Sequence, residues 1–233
     1  MHGSGRLKVV GLMRLHVGIM PELVIGELAR HVDAMYFWVH EPHERPETIE
    51  VVRRHPKTVR TETGNMPWNS ELTFRAAWAM LEDVRPDWVI YPDDDELLPP
   101  QTTHLLEVAQ HNNLRCVQFP FLVCQNNSAE EVIKAVNIIN MAPHCRIARW
   151  RPLCEVFTTQ TYPGYDYLCE DDMKSCLHSP WPVRHLLVVN QDMLRYRMTK
   201  RPHYDEYMTK PQKTTPFAPE RAWREWFAQQ KEG

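Results

Sequence analysis

No stretch of this 233-residue chain is apolar over the ~20 residues that a membrane-crossing helix needs. The opening residues, Met1-His-Gly-Ser-Gly5, lack the apolar core of a signal peptide and read as an appended remnant. Six cysteines stand at 116, 124, 145, 154, 169 and 176, and no two are spaced Cys-x-x-Cys, which argues against a zinc ribbon. Without an export signal they are expected to be reduced, and the expected compartment is the cytoplasm. Net charge is only −3, so no global basic field points to nucleic acid or membranes. There is no internal repeat and no convincing linker, so one domain over residues 1–233 is expected.

What is present is ample material for a core: 43% hydrophobic residues, including 8 Trp, 8 Tyr and 7 Phe. The first half alternates strand and helix patterns. Strands are expected at 8–12, 34–39, 58–61 and 88–91, and helices at 21–31, 46–55 and from about 70 to 85. A helix at 101–112 and a strand at 115–123 follow. This predicts α/β architecture with a mostly parallel, Rossmann-like central sheet flanked by helices. Beyond 125 the pattern is irregular, with apolar runs at 132–139 and 145–148, a late strand at 186–189, a basic helix at 191–200 and a terminal helix at 220–231. Long segments of little periodicity, such as 150–182, are usually functional loops.

One segment concentrates chemistry: Asp87-Trp-Val-Ile-Tyr-Pro-Asp93-Asp94-Asp95-Glu96-Leu-Leu98. Four consecutive carboxylates after a buried strand repel one another, so something positive is expected to share their site. Hard divalent cations favour oxygen ligands, and Mg²⁺ is usually held by one or two carboxylates plus substrate phosphates. The carboxyl edge of an open α/β sheet is also where such folds bind ligands. The plain alternative is a solvated acidic turn.

The block Asn69-Ser-Glu-Leu-Thr-Phe-Arg75, followed by Pro86 to Leu98, resembles GT-A glycosyltransferases of the family-2 type, with Asp93-x-Asp95 and Glu96 in the place of their D-x-D-E motif. The resemblance covers residues 8–125 well and the rest loosely. It departs after the first two strands, where this chain has Arg14-Leu-His16 and His40-Glu41-Pro42 in place of an Asn-Glu pair and an Asp-rich turn.

The resemblance implies a nucleotide-sugar-binding half at 7–125, an acceptor half at 126–205 and a C-terminal tail at 206–233. It implies Mn²⁺ or Mg²⁺ held by Asp93, Asp95 and a late histidine, taken as His185 with His178 as the alternative. Arg14, Arg75, Asp93 and Asp94 are donor-binding candidates, joined by Arg195 and Arg197 from the basic run 195–204, since arginine matches phosphate geometry bidentately. The Glu170-Asp171 pair resembles the motif carrying the catalytic base of inverting members, so Asp171 is the expected base, with Asp166 a lesser candidate. Its plain alternative is an acid-rich helix start. Trp68, Trp150 and Trp181 are candidates for a sugar-stacking platform, or simply for core packing.

These readings predict a metal-dependent, inverting glycosyltransferase using a nucleotide-sugar donor and a glycan, small molecule or modified nucleic acid as acceptor. The rivals are a viral-type enzyme acting on modified DNA bases, a nucleotidyltransferase, and a non-enzymatic nucleic-acid-binding module built on residues 195–204.

Overall fold

The computed structural model describes residues 7–16, 21–40, 46–65, 70–125, 141–153 and 175–188. Strand β1 (Val9–Leu15) and strand β2 (Ala34–His40) are nearly continuous apolar runs, as strands covered on both faces must be. Helix α1 (Pro21–His31) connects them. It opens on Pro, whose missing N–H costs nothing there, and carries Glu22 in its first turn and Arg30 and His31 in its last. Helix α2 (Pro46–Arg54) leads to strand β3 (Thr58–Gly64), and helix α3 (Ser70–Ala79) to strand β4 (Trp88–Ile90). After a two-residue strand β5 (Glu96–Leu97) come helix α4 (Thr102–His111) and strands β6 (Cys116–Gln125), β7 (Met141–Arg149), β8 (Cys176–His178) and β9 (Val183–Val188).

The nine strands among the described residues join one sheet in the order β3-β2-β1-β4-β7-β6-β9-β5, with β8 also on β6. The first four are mutually parallel where they pair, and β6 runs parallel to both β8 and β9. The β4/β7, β6/β7 and β5/β9 pairs are antiparallel. The sheet is therefore mixed but mostly parallel, as the alternation of the first half predicts.

Each face of the sheet has its own core. Met13, Leu15 and Phe37 pack with Val24, Leu28, Leu105 and Leu106 on the α1, α2 and α4 side. Val10, Leu12 and Trp38 pack with Phe74, Trp78 and Leu81 on the α3 side. The period-two alternation of β1 makes this division, and it sends Arg14 to the α3 side with Val10 and Leu12. Helix α1 lies so close to β1 that a Cβ on Gly11 would meet Leu28 Cδ2 at 2.9 Å.

The structure corrects the expectations in the second half. The late strand starts at Val183, not 186, so His185 lies inside it rather than at its head. The reason is Arg184: its charge reads as loop, yet the residue is fully buried and pairs across to Leu97. Strands β5 and β8 are too short for any periodicity to announce them. The basic helix, the terminal helix and the run at 132–139 lie outside the described residues.

Candidate active site at the carboxyl edge of the sheet

Strand β1 has β2 on one side and β4 on the other, so the strand order reverses between β1 and β4. Their carboxyl ends form the crevice where open α/β sheets take ligands. Arg14 and His16 lie at the end of β1, and residues 93–96 follow β4.

The acidic segment folds into a turn closed on itself. The Glu96 N–H donates to the Asp93 carbonyl at 3.1 Å, and the Asp93 N–H donates to Glu96 Oε2 at 3.0 Å. Asp94, Asp95 and Glu96 are 5%, 6% and 1% exposed, which removes the solvated-turn alternative. Buried carboxylates need partners, because an unpaired charge in the interior is very costly.

Those partners come from three strands, β1, β7 and β9. Arg14 donates through Nη2 to Asp93 Oδ1 at 2.7 Å, while its Nη1 reaches Thr73 Oγ1 at 3.3 Å and its guanidinium lies 5.5 Å above the Phe74 ring. Arg146 on β7 grips Glu96 with two bonds, Nε to Oε2 at 2.5 Å and Nη2 to Oε1 at 2.7 Å, and extends Nη2 to Asp93 Oδ2 at 3.2 Å. The paired geometry is the strong form of an arginine–carboxylate bond. Asp94 Oδ2 accepts the His16 backbone N–H at 2.6 Å. Asp95 Oδ2 lies 3.2 Å from His185 Nε2, and the Leu186 N–H donates to the Asp95 carbonyl at 2.7 Å, tying the turn to β9.

Burial is the strongest influence at both ends of this turn and pushes both carboxyls up, yet their net shifts are opposite. Burial pushes Asp93 up, but the Arg14 and Arg146 guanidiniums outweigh it and hold the carboxyl below its ordinary range. Glu96 is also pushed up by burial, and there Arg146 does not outweigh it, so its carboxyl stands above the ordinary range.

Beside the turn, His16 and His40 are each 1% exposed with ring centroids 5.0 Å apart, and Trp38 stacks on His40 at 6.0 Å.

The structure brings together Arg14, Asp93, Asp94, Asp95 and His185. Arg75 sits half-buried on α3, one residue past Phe74. His178 pairs with Gln118, whereas His185 pairs with Val123. The rise per strand residue thus puts His178 roughly 17 Å further along β6. Trp150 packs against the α3-side core and Trp181 against the opposite one, so these two form no common platform. Asp166, Glu170, Asp171, Arg195, Arg197 and Trp68 lie outside the described residues.

Arg146 escapes the sequence reading altogether, as does the role of Glu96. The signal was a lone charge inside the apolar run Cys145–Ala148, a pattern that a buried ion pair explains as well as a solvent-facing side of the strand does.

Among the described residues no three His, Cys, Asp or Glu side chains converge as a metal cage. The donor set is narrower than that: Asp95 and His185 present two ligand atoms 3.2 Å apart, and both oxygens of Asp93 face guanidiniums. Such a pair fits a cation that takes its remaining ligands from substrate phosphates.

Neither a family model nor a curated protein matches the chain. Among solved structures it is similar to a 4-diphosphocytidyl-2C-methyl-D-erythritol synthase at 18% identity and a TM-score of 0.42, covering 63% of this chain and 76% of that one. A second such synthase, from Anaerococcus prevotii, has 12% identity, a TM-score of 0.38 and coverages of 95% and 83%. HddC from Yersinia pseudotuberculosis has 9% identity, a TM-score of 0.43 and coverages of 83% and 99%. Likenesses this distant carry no argument about activity.

Proposed function

We propose that this chain is a cation-dependent transferase acting on a nucleotide-linked substrate, with glycosyl transfer from a nucleotide sugar as the leading reaction. The observation that carries the proposal is the pairing of Asp95 with His185 beside the Arg14–Asp93–Arg146 cluster, at the switch point of the sheet. When bound there, a divalent cation supplies Lewis acidity and charge neutralisation to diphosphate oxygens. The chain's own residues fix the rest. Asp94 clamps the end of β1 through the His16 N–H, and Arg146 keeps Glu96 and Asp93 facing inward. Arg14 is a guanidinium already at the crevice and suited to phosphate oxygens. In this reading Asp171 accepts the acceptor hydroxyl's proton, and Arg195 and Arg197 add phosphate contacts.

A second reading, nucleotidyl transfer, draws on the same arginines. It breaks a phosphoanhydride rather than an anomeric bond, and preorganised guanidiniums stabilise the charge on a transferring phosphoryl group.

One experiment tests both. The chain is incubated with Mn²⁺ and either nucleotide sugars with candidate acceptors or nucleoside triphosphates with sugar phosphates, and products are followed by phosphorus NMR. Nucleoside diphosphate release marks glycosyl transfer, and pyrophosphate release marks nucleotidyl transfer. If no nucleotide raises the thermal midpoint in the presence of Mn²⁺, both readings fail.

A further inference from the structure

Strand β3 ends the sheet on the side away from β7, and among the described residues no strand pairs with its outer edge. Open edges are templates for another strand, and proteins blunt them with charge or cover them. This edge reads Thr58-Val-Arg-Thr-Glu-Thr-Gly64. Val59 is 63% exposed, more than any other large apolar side chain among the described residues. Arg60 and Glu62 lie two apart on one face and form an ion pair along the strand, yet their side chains remain 43% and 39% exposed.

We propose that β3 pairs antiparallel with β3 of a second copy of this chain, about a two-fold axis through Thr61, joining two sheets into one. The argument is the chemistry of the register. About that axis Arg60 faces the partner's Glu62, Val59 faces the partner's Thr63, and Thr61 faces its own counterpart. Opposite charges and β-branched pairs directly across an antiparallel ladder are the favourable combinations. The four charges then alternate at the corners of a rectangle. Each Arg60 has its own Glu62 along the strand and the partner's Glu62 across it.

Other registers lose this match. An axis through Arg60 sets arginine against arginine, and one through Glu62 sets glutamate against glutamate. A symmetric parallel pairing also places like residues side by side. A one-residue slip sends the Val59 face of one strand to the charged face of the other. The charges that would blunt the edge toward most strands therefore select one partner, a second β3. The contact is isologous, as a two-fold dimer requires. A seven-residue edge spans roughly 23 Å and makes a small interface, so the dimer is reversible and concentration-dependent. Strands β2 and β1 separate this edge from the acidic turn, so pairing leaves the candidate active site open.

Sedimentation velocity of the full chain over a micromolar to several-hundred-micromolar series tests the proposal. The expected result is a monomer–dimer equilibrium. Arg60→Glu and Glu62→Arg, each alone, set like charges across the axis and weaken dimerisation by about tenfold or more. The double variant Arg60→Glu/Glu62→Arg restores it, because the swapped charges are again self-complementary. Circular dichroism checks that each variant is folded. If a reversal unfolds the chain, Val59→Lys at the most exposed apolar position takes its place, and loss of the dimer is again expected. A chain that stays monomeric throughout, as when another of its own segments covers the edge, overturns the proposal. So does a dimer indifferent to the single reversals.

Discussion

Arg146 holds more of the candidate site than any residue the sequence nominates. Its guanidinium binds Glu96 with both arms and touches Asp93, at a side-chain exposure of 5% against 1% for Glu96. Removing it leaves a carboxylate buried without its partner. Arg146→Met is therefore expected to lower stability by about 3–5 kcal/mol in urea denaturation. Arg146→Met with Glu96→Leu is expected to recover much of that loss, since an apolar pair of similar size is often as stable as a buried ion pair. A double variant no better than the single would show that Arg146 acts through Asp93 instead. The acidic half of this site was legible because four carboxylates beside an apolar strand are conspicuous in any sequence. Of its basic half Arg14 and His185 were legible but Arg146 was not, because it lies fifty positions from Glu96 and only the β4/β7 pairing brings them together. Local pattern carries no record of a long-range antiparallel return.

At the scale of elements, the helix and strand assignments through residue 125 follow from periodicity and Pro placement, save that β5 is missed and α3 ends at Ala79 rather than near 85, and α1 falls where its pattern predicts. What pattern does not give is closeness. Gly11 lets α1 approach β1 until Leu28 fills the space a side chain would take. Gly11→Ala overpacks that contact and is expected to cost about 1–3 kcal/mol in thermal or urea unfolding. Combining it with Leu28→Val, which withdraws part of the clashing side chain, is expected to relieve some of the loss.

The turn from α2 to β3 carries a pH response. His55 Nδ1 accepts the Lys57 N–H at 3.2 Å, which only an unprotonated ring nitrogen does. Burial lowers the His55 pKa, and the Lys57 charge lowers it further. A histidine whose folded pKa is depressed contributes stability that is full above the unfolded value of about 6.5 and declines as pH falls toward the folded one. Urea midpoints are therefore expected to drop slightly from pH 7.5 toward pH 5. His55→Asn should flatten that part of the profile, because an Asn side chain accepts the same N–H in an Asx-turn without titrating. An unchanged slope would assign the response to another group.

At the scale of the whole molecule, the turn at 93–96 ties together strands distant in sequence: β1 through Arg14 and His16, β7 through Arg146 and β9 through His185. A ligand seated there braces the sheet across its middle, so binding should register as global stability. A ligand that binds only the folded chain, at a hundred times its dissociation constant, adds about 2.7 kcal/mol. For a chain of this size that corresponds to a midpoint rise of roughly 5–10 °C. With a nucleoside diphosphate the rise is expected to require Mn²⁺. Asp95→Asn and His185→Gln should each remove the Mn²⁺-dependent part while leaving the ligand-free midpoint nearly unchanged, since either amide keeps a hydrogen bond between these two positions. Asp171→Asn should leave that part intact and lower only turnover, by roughly 10²–10⁴-fold, because a general base does not hold the cation. Scanning calorimetry of the three variants with and without Mn²⁺ separates the roles. If His185→Gln keeps the full shift, the histidine supports the fold of β9 alone and the cation takes its ligands elsewhere. If Asp171→Asn loses it, that carboxylate belongs with Asp95 and the base must be sought at Asp166 or Glu170.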